Sequence, residues 1–152
     1  MIHIFVGTKA QFIKMAPIMM ELDRRQIAYN FIDAGQHGGM TGDLVDQFQL
    51  RQPDVFLRTE KDTIKTIPQA LRWTIVSLKN ILFARNTVFQ RVFRGQKGVC
   101  LIHGDTLTTL ISLLYARRCG LQVAHVEAGL RSFRLFDPFP EEIIRLIAMR
   151  YS

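Results

Sequence analysis

The sequence predicts an α/β fold built on a doubly wound, mostly parallel sheet. Short apolar segments alternate with helical patterns along the whole chain, and this alternation is typical of parallel strands joined by crossover helices. The apolar segments run into glycine turns and polar residues, as buried parallel strands do at their ends. The 152 residues, 48% of them hydrophobic, suffice for one core, and the sequence contains no internal repeat. We therefore expect one domain over residues 1–152.

The junction between the first strand and the first helix favours an anionic ligand. Residues 2–6 form the strand, Gly7 closes it, and a helical pattern follows. The apolar positions of that pattern are Phe12, Ile13, Met15, Ala16 and Met19. Such a junction directs backbone N–H groups and the positive end of the helix dipole at a ligand, and Lys9 and Lys14 add two cations. Because the dinucleotide fingerprint needs three glycines and only one is present, a plain tight turn with solvated lysines is an equally good interpretation.

The second strand is predicted at residues 28–34, followed by a glycine-rich loop at the same edge of the sheet. His37 is the one histidine of the chain in such a polar loop, so a ligand-binding or acid/base role is one interpretation. A solvated loop histidine is the other. A helix at residues 41–50, with Leu44, Val45 and Phe48 inward, and a short third strand at 54–57 are predicted next.

A single long helix is predicted over residues 63–94. Its apolar face comprises Ile67, Ala70, Leu71, Ile75, Leu78, Ile81, Leu82, Val88, Phe89 and Val92. Its basic residues are Lys65, Arg72, Lys79, Arg85, Arg91 and Arg94. We expect a helix that packs on the core and keeps a solvated basic face. A basic amphipathic helix on a membrane surface is the alternative.

The last part of the chain places three carboxylates at turning points of the fold. A strand at residues 99–102 is followed by Asp105, and a strand at 121–126, after a helix at 106–118, is followed by Glu127. The final helix, residues 141–151, begins with Glu141. Ligands of open α/β sheets bind outside the carboxyl ends of the strands. We therefore expect chemistry at the edge that Asp105 and Glu127 share.

Charge and cysteine content narrow the classes of partner. The chain has 20 Lys and Arg against 13 Asp and Glu, a formal net charge of +7, which favours nucleotide phosphates, nucleic acid or an acidic membrane. No nucleic-acid-binding motif supports the second of these. Cys100 and Cys119 lie in apolar surroundings, so we expect buried core thiols and a cytoplasmic protein. The absence of a signal peptide and of a membrane-spanning apolar run predicts a soluble protein.

Five segments carry the most specific patterns of the chain. They are residues 7–17 (GTKAQFIKMAP), 34–37 (AGQH), 103–109 (HGDTLTT), 125–131 (HVEAGLR) and 140–142 (PEE). In this order and at this spacing they resemble the UDP-N-acetylglucosamine 2-epimerase family. The resemblance covers essentially the whole chain but only the amino-terminal half of that family's enzymes. It implies a Rossmann-like domain, the first of two in a GT-B-like enzyme whose active site lies in the cleft between them.

The resemblance also implies an isomerase that interconverts UDP-GlcNAc and UDP-ManNAc for surface polysaccharide biosynthesis, without a redox cofactor or a metal. The C2 proton is removed as UDP leaves, and protonation of the glycal on its other face followed by return of UDP gives the epimer. The implied catalytic acids are Asp105, Glu127 and Glu141, and the implied substrate-binding residues are Lys9, Lys14, Gln36, His37 and Arg131. The family's catalytic histidine and most groups that hold the nucleotide belong to the second domain. The implied partners are a UDP-sugar and, in the full-length enzyme, a second copy in a homodimer.

The chain departs from the family pattern at two places. Lys9, Ala10 and Gln11 stand where the family usually has Arg-Pro-Glu. This form is similar to a surface-polysaccharide subgroup, so other UDP-acetamido sugars and a hydrolysing reaction stay open. Ile144 stands where the family has an Asn, which predicts altered support for the glutamate pair beside it.

Three functions are compatible with the sequence. The first is an amino-terminal epimerase domain that is inactive, or nearly so, without a carboxyl-terminal half. The final helix stops within its apolar pattern, which favours this expectation of a shortened chain. The second is a non-catalytic domain that binds nucleotide sugars. The third, which we favour least, is a membrane-surface module that uses the basic helix.

Overall fold

The computed structural model describes residues 1–35, 40–57 and 67–152 of the chain. In chain order its elements are β1 (Ile2–Val6), α1 (Lys9–Arg24), β2 (Tyr29–Asp33), α2 (Met40–Gln47), β3 (Val55–Phe56), α3 (Ile67–Phe83), α4 (Arg85–Arg91), β4 (Val99–His103), α5 (Leu107–Arg118), β5 (Gln122–Val126) and α6 (Glu141–Tyr151). The bounds of β1 and α6 are those predicted from the sequence. β2, α2 and β3 are shorter than predicted.

Five strands of the described residues form one sheet in the order β3-β2-β1-β4-β5, and all neighbours pair in parallel. The chain builds outward from β1 through β2 to β3, and then continues on the other side of β1 with β4 and β5. The boundary between β1 and β4 is therefore the topological switch point, where ligands of such sheets bind. The predicted doubly wound, parallel α/β architecture is confirmed.

Helices bury both faces of the sheet, because successive residues of a strand point to opposite sides. Ile4 and Val6 of β1 belong to the apolar core that α1 and α2 cover. Phe5, between them, belongs to the core on the side of α3, α4, α5 and α6. Cys100 and Cys119 are buried and free on this second side, so the prediction of buried core thiols is confirmed.

The entry to β4 requires a glycine. Gly98 has a φ of 153°, and a Cβ at this position would lie 1.9 Å from the carbonyl oxygen of Met1. That carbonyl accepts a hydrogen bond from Val99 N at 3.1 Å. The close approach of the two backbones begins the pairing of β1 with β4, so any side chain at position 98 would separate the two central strands.

The prediction of a single helix over residues 63–94 is wrong. Its described part consists of two helices, α3 and α4, separated at Ala84, whose φ of −121° and ψ of 34° are not helical. In a continuous helix the Ile81 carbonyl would accept a hydrogen bond from residue 85. Arg118 of α5 donates its Nε to that carbonyl instead, at 3.3 Å. The break thus involves a contact with another helix, which apolar periodicity cannot reveal.

The predicted apolar face of α3 is only partly buried. Ile81 is buried, whereas Ile75 and Leu82 are exposed together with their neighbours Val76 and Phe83. No helix among the described residues is long and apolar enough to cross a membrane.

Candidate active site

Two of the three carboxylates that the sequence singled out lie at the carboxyl edge of β4 and β5, and the third begins α6. Asp105 lies shortly after β4, Glu127 follows β5 directly, and Glu141 is the first residue of α6. Gly104 and Glu127 both have a left-handed backbone, with φ of 72° and 66°. Glycine adopts this conformation freely, but glutamate is strained in it, and such strain is concentrated at functional sites.

The junction between β1 and α1 is filled by the buried side chain of Gln11. Its Oε1 accepts hydrogen bonds from the backbone N–H groups of Gly7, at 2.9 Å, and Thr8, at 3.3 Å. Its Nε2 donates to the His103 carbonyl at 2.8 Å and to Thr109 Oγ1 at 3.1 Å. The two N–H groups at the end of β1, which the sequence predicted to face a ligand, therefore donate to a side chain of the protein instead. An anion at this junction would depend on the lysine side chains of α1.

Lys14, His103 and Glu127 form what we call the Glu127 cluster. Lys14 Nζ lies 2.6 Å from Glu127 Oε1, and His103 Nε2 lies 3.3 Å from Glu127 Oε2. The pKa of Glu127 is lowered, chiefly because Lys14 donates a hydrogen bond to it. Burial lowers the pKa of His103 from its ordinary 6.5. Near neutral pH the cluster is therefore an ionised carboxylate between a lysine cation and a neutral imidazole.

Asp105, Arg131, Glu142 and Arg145 form a second group, the Glu142 cluster. The Glu142 side chain is completely buried and accepts hydrogen bonds from Arg131 Nε at 2.5 Å and Arg145 Nη1 at 3.4 Å. It also accepts one from the backbone N–H of Ser132 at 3.0 Å. Arg145 Nη2 lies 2.5 Å from Asp105 Oδ2. The donors, with Arg131 first, lower the pKa of Glu142 to about 2. The cluster joins α6 to the loop after β5 and to the end of β4.

Glu141 lies at the N-terminus of α6, where the helix dipole favours a negative charge. Its Oε2 is buried and has no hydrogen-bond partner among the described residues. Because a buried carboxylate oxygen is costly to leave unsatisfied, this atom is a candidate to meet a bound ligand.

The residues predicted to bind substrate have different surroundings. Lys9 is exposed on the first turn of α1. Arg131 contacts Glu142 through Nε, and its guanidinium carbon lies 5.2 Å from the centroid of the Phe133 ring. Glu142 of α6 and Phe133 of the loop beyond β5 therefore both contact this arginine. Gln36 and His37 lie outside the described residues.

The structure adds four residues that the sequence analysis did not assign to the site: Gln11, His103, Glu142 and Arg145. Three of them, Gln11, Glu142 and Arg145, have a signal that could be read from the sequence. Thr8 and Gln11 have the spacing of a helix capping box, which the structure contains. Glu142 and Arg145 have the i, i+3 spacing of a helical ion pair. The involvement of His103 depends on the register of β4 and β5, for which the local sequence has no signal.

The arrangement suits proton transfer to and from a bound ligand. Carboxylates act as general acids and bases when they lie within hydrogen-bond reach of the proton that moves. Here Asp105 and Glu127 are each paired with a cation, whereas Glu141 has a buried oxygen without a partner among the described residues. Among those same residues no group of three or more His, Cys, Asp or Glu side chains could hold a metal ion.

Known proteins match both the sequence and the fold. The sequence model of the family described as UDP-N-acetylglucosamine 2-epimerase matches residues 20–152. The UDP-N-acetylglucosamine 2-epimerase of Bacillus subtilis (strain 168) is 33% identical over 141 residues, which cover 91% of this chain and 34% of that protein. The enzyme of the same name from Campylobacter jejuni is 32% identical over 149 residues, which cover 96% of this chain and 35% of that protein.

Solved structures with a bound ligand also match this chain. The crystal structure of the UDP-GlcNAc 2-epimerase from Neisseria meningitidis, bound to UDP-GlcNAc, has a TM-score of 0.76 to this chain at 29% identity. The match covers 99% of this chain and 38% of that one. The chain thus spans about a third of the length of the curated relatives it matches.

Proposed function

The chain belongs to the UDP-N-acetylglucosamine 2-epimerase family, and from this premise we propose that residues 1–152 are the amino-terminal, Rossmann-like domain of an enzyme that interconverts UDP-GlcNAc and UDP-ManNAc. The observation that carries the proposal is the position of Asp105, Glu127 and Glu141, which follow β4, follow β5 and begin α6. The likeness to an epimerase that binds UDP-GlcNAc supports a UDP-sugar as the ligand.

The proposed reaction needs acidic side chains on both faces of the sugar ring, because one proton leaves C2 and another arrives on the opposite side. One carboxylate takes the C2 proton, the electron pair of that C–H bond forms a C1–C2 double bond, and the C1–O bond breaks to release UDP. A carboxylic acid on the other face then protonates C2 of the glycal, and UDP returns to C1. We assign these transfers to Asp105, Glu127 and Glu141. Electrons move only between bonds of the substrate, so the proposal includes no redox cofactor.

The proposed contacts to the nucleotide sugar come from Lys9, Lys14 and Arg131, together with Gln36 and His37 of the loop after β2. Lys14 forms an ion pair with Glu127. A diphosphate bound by Lys14 would therefore lie beside one of the proposed catalytic acids. This proximity between an anion site and a carboxylate supports elimination of UDP, since the departing group and the proton acceptor must lie near the same C1–C2 bond.

The departures from the family pattern affect different parts of the domain. Gln11 and Ile144 are buried, so the changes at these positions act through the fold. Lys9 and Ala10 are exposed at the edge of the site, where a different sugar would be recognised. We therefore keep a hydrolysing 2-epimerase that acts on a related UDP-acetamido sugar as the alternative substrate and reaction.

The rest of the proposed site comes from a second domain, since the chain spans about a third of its relatives. Contacts remote from the reacting atoms supply much of an enzyme's rate enhancement. We therefore expect the domain alone to bind weakly and turn over poorly. The proposal further includes a cytoplasmic homodimer for the full-length enzyme and a role in surface polysaccharide biosynthesis. Light scattering of the full-length protein tests the homodimer.

The decisive experiment measures binding and chemistry separately. Calorimetric titration with UDP-GlcNAc measures binding, and NMR in deuterated water follows exchange of the sugar C2 proton. Both are done with the chain alone and with the remaining part of the Bacillus subtilis relative added. We expect exchange only in the mixture, and its loss in Glu127→Gln with binding retained.

Glu21→Gln is the matched control, because Glu21 is an exposed glutamate whose contacts are Arg24 of the same helix and Arg25, the residue directly after it. This variant is expected to bind and exchange as the unchanged chain does. Binding without exchange in every mixture would instead support a non-catalytic nucleotide-sugar-binding domain. Release of free UDP and free sugar would support the hydrolysing alternative. No binding at all would contradict the proposal.

A further inference from the structure

His103 is buried at the end of β4 without the hydrogen bonds that a buried histidine normally has. Only 5% of its side chain is exposed, and neither ring nitrogen has a hydrogen-bond partner of regular geometry among the described residues. Buried polar groups without such partners are rare because they lower stability, and each one calls for an explanation. The hydrogen bonds of the described residues therefore do not account for this imidazole.

The Glu127 carboxylate faces this ring. His103 lies opposite Val126 in the register of β4 and β5, so the next residue, Glu127, is a neighbour across the strand ends. His103 Nε2 lies 3.3 Å from Glu127 Oε2, and Lys14 Nζ lies 2.6 Å from Oε1. The carboxylate is therefore contacted at both oxygens, by two different elements of the fold.

The two contacts differ in rigidity. Lys14 is a long side chain on the surface of α1, with 52% of it exposed. His103 belongs to a central strand, and its carbonyl accepts hydrogen bonds from Gln11 Nε2 at 2.8 Å and Thr109 Oγ1 at 2.7 Å. Lys14 can turn to an incoming anion, whereas His103 keeps its position.

The backbone of Glu127 supports the same contact. Its φ of 66° is unfavourable for a residue with a side chain. This left-handed turn occurs directly after β5, at the residue whose carboxylate reaches across to β4. The strained backbone of Glu127 therefore occurs together with the contact between its carboxylate and His103.

We propose that His103 is a positioning residue for Glu127, whose Oε2 it holds by donating Nε2–H, so that Oε1 can meet the sugar C2–H once Lys14 engages the diphosphate. The catalytic part of this inference rests on the proposed function, but the coupling of His103 to Glu127 is a property of the chain itself. Burial keeps the imidazole neutral because it lowers the pKa of His103. The other titratable groups that face it are Lys14 of α1 and His125 of β5, and His125 Nε2 is engaged with the Gly104 carbonyl at 2.7 Å.

The first test measures the pKa of Glu127 by NMR in the 152-residue chain. In His103→Leu the pKa of Glu127 is expected to rise, because the carboxylate loses a hydrogen-bond donor that favours its charged form. His103→Gln, which retains an N–H donor, is expected to restore the original value. An unchanged pKa of Glu127 in His103→Leu would overturn the proposal.

His3 provides a matched control. It is also fully buried, but it lies at the opposite edge of the sheet, where both ring nitrogens have partners: the Gln96 carbonyl and Asn30, each at 3.0 Å. His3→Gln is expected to leave the pKa of Glu127 unchanged. A shift as large as that in His103→Leu would contradict a specific contact.

The reciprocal measurement avoids a substitution in the core. Glu127→Gln changes an accessible side chain, and the pKa of His103 is then expected to fall further, because the Glu127 charge raises it. Glu21→Gln is the control for removal of a surface glutamate. If the pKa of His103 is the same in Glu127→Gln as in Glu21→Gln, the two side chains are not coupled and the proposal fails.

The catalytic consequence is measured with the second domain present. His103→Leu is expected to slow exchange of the C2 proton by up to about 100-fold, the effect of a catalytic group displaced by about 1 Å, with the affinity for UDP-GlcNAc unchanged. Unchanged exchange would overturn the positioning role. If the unchanged chain neither binds nor exchanges, the proposed function fails, while the pKa measurements still decide the coupling.

Discussion

The Glu127 cluster and the Glu142 cluster lie at the same edge of the sheet, yet their carboxylates have opposite surroundings. Glu142 is completely buried and accepts hydrogen bonds from two arginines and a backbone N–H group. Glu127 has 35% of its side chain exposed and forms an ion pair with the exposed side chain of Lys14. Its backbone is in a strained, left-handed conformation. The Glu142 carboxylate is enclosed by the protein, and the Glu127 carboxylate is accessible at its surface.

This difference separates two uses of the same chemical group. Removing one partner of a buried ion pair strongly destabilises a protein. Glu142 therefore stabilises the contact between the loop after β5 and the start of α6. An exposed pair contributes little to stability, and the left-handed backbone of Glu127 is a conformation found often at functional sites. Asp105 belongs to the buried cluster through Arg145 and is also one of the proposed catalytic acids, so it links the two uses.

The largest expected effect is on catalysis. Glu127→Gln should reduce C2-proton exchange, measured with the second domain present, by about 10²- to 10⁴-fold, the usual contribution of a general acid or base. The free energy of unfolding of the Glu127→Gln variant should differ from that of the unchanged chain by less than about 1 kcal/mol, because the pair with Lys14 is exposed. Thermal unfolding measures the second quantity. If Glu127→Gln unfolds as easily as Glu142→Gln, the contrast between the two clusters is wrong.

The next largest effect is on stability. Glu142→Gln should lower the melting temperature by roughly 10 °C, because Arg131 and Arg145 are left partly buried without their counter-charge. Differential scanning calorimetry measures this change. Glu21→Gln, which removes an exposed glutamate that also contacts two arginines, should change the melting temperature by less than about 2 °C. Equal shifts in the two variants would show that burial of Glu142 has no energetic consequence.

A smaller effect appears in the pH dependence of stability. The pKa of Glu142 is lowered from its ordinary 4.5 to about 2 in the folded protein, so its ionised form stabilises the fold. This contribution is complete above pH 4.5 and is lost as the pH falls toward 2. The difference in urea midpoint between the unchanged chain and Glu142→Gln should therefore narrow across this range. A difference that stays constant with pH would refute the assignment to the Glu142 charge.

The smallest expected effect is a change within the Glu127 cluster. Lys14→Met should raise the pKa of Glu127, because the hydrogen bond from Lys14 is the main cause of its lowering. The free energy of unfolding should fall by about 1 kcal/mol at most, since both side chains are accessible. NMR titration of Glu127 and urea unfolding measure the two quantities. An unchanged pKa would mean that Lys14 does not hold Glu127 in solution.

Much of the architecture follows from local patterns. The apolar segment of residues 2–6 and the helical pattern of 141–151 predict β1 and α6 with their observed bounds. Alternation of strands and helices predicts the parallel sheet, because a parallel strand needs a long crossover that is usually a helix. From this sheet it follows that Asp105 and Glu127 share one edge, since the carboxyl ends of parallel strands lie together.

Other features depend on partners that are distant in sequence. The break between α3 and α4 involves Arg118, which lies far along the chain from the Ile81 carbonyl that it contacts. The side chain of Gln11 bridges to the His103 carbonyl of another strand, so the polar residue of the first helical turn serves the fold rather than the ligand. Neither contact produces a periodic signal in the local sequence.

The sequence by itself determined where the strands end and where the last helix begins, and hence that Asp105, Glu127 and Glu141 would stand at turning points of the fold. The tertiary structure alone decided the surroundings of each carboxylate. Burial, ion pairs and backbone strain are set by neighbours brought together from different elements, as His103 and Lys14 are around Glu127. Adjacent residues such as Glu141 and Glu142 look alike in the sequence, but they differ by about 100° around the helix axis. Only the packing of α6 shows that Glu142 is enclosed by arginines while Glu141 keeps a buried oxygen without a partner among the described residues.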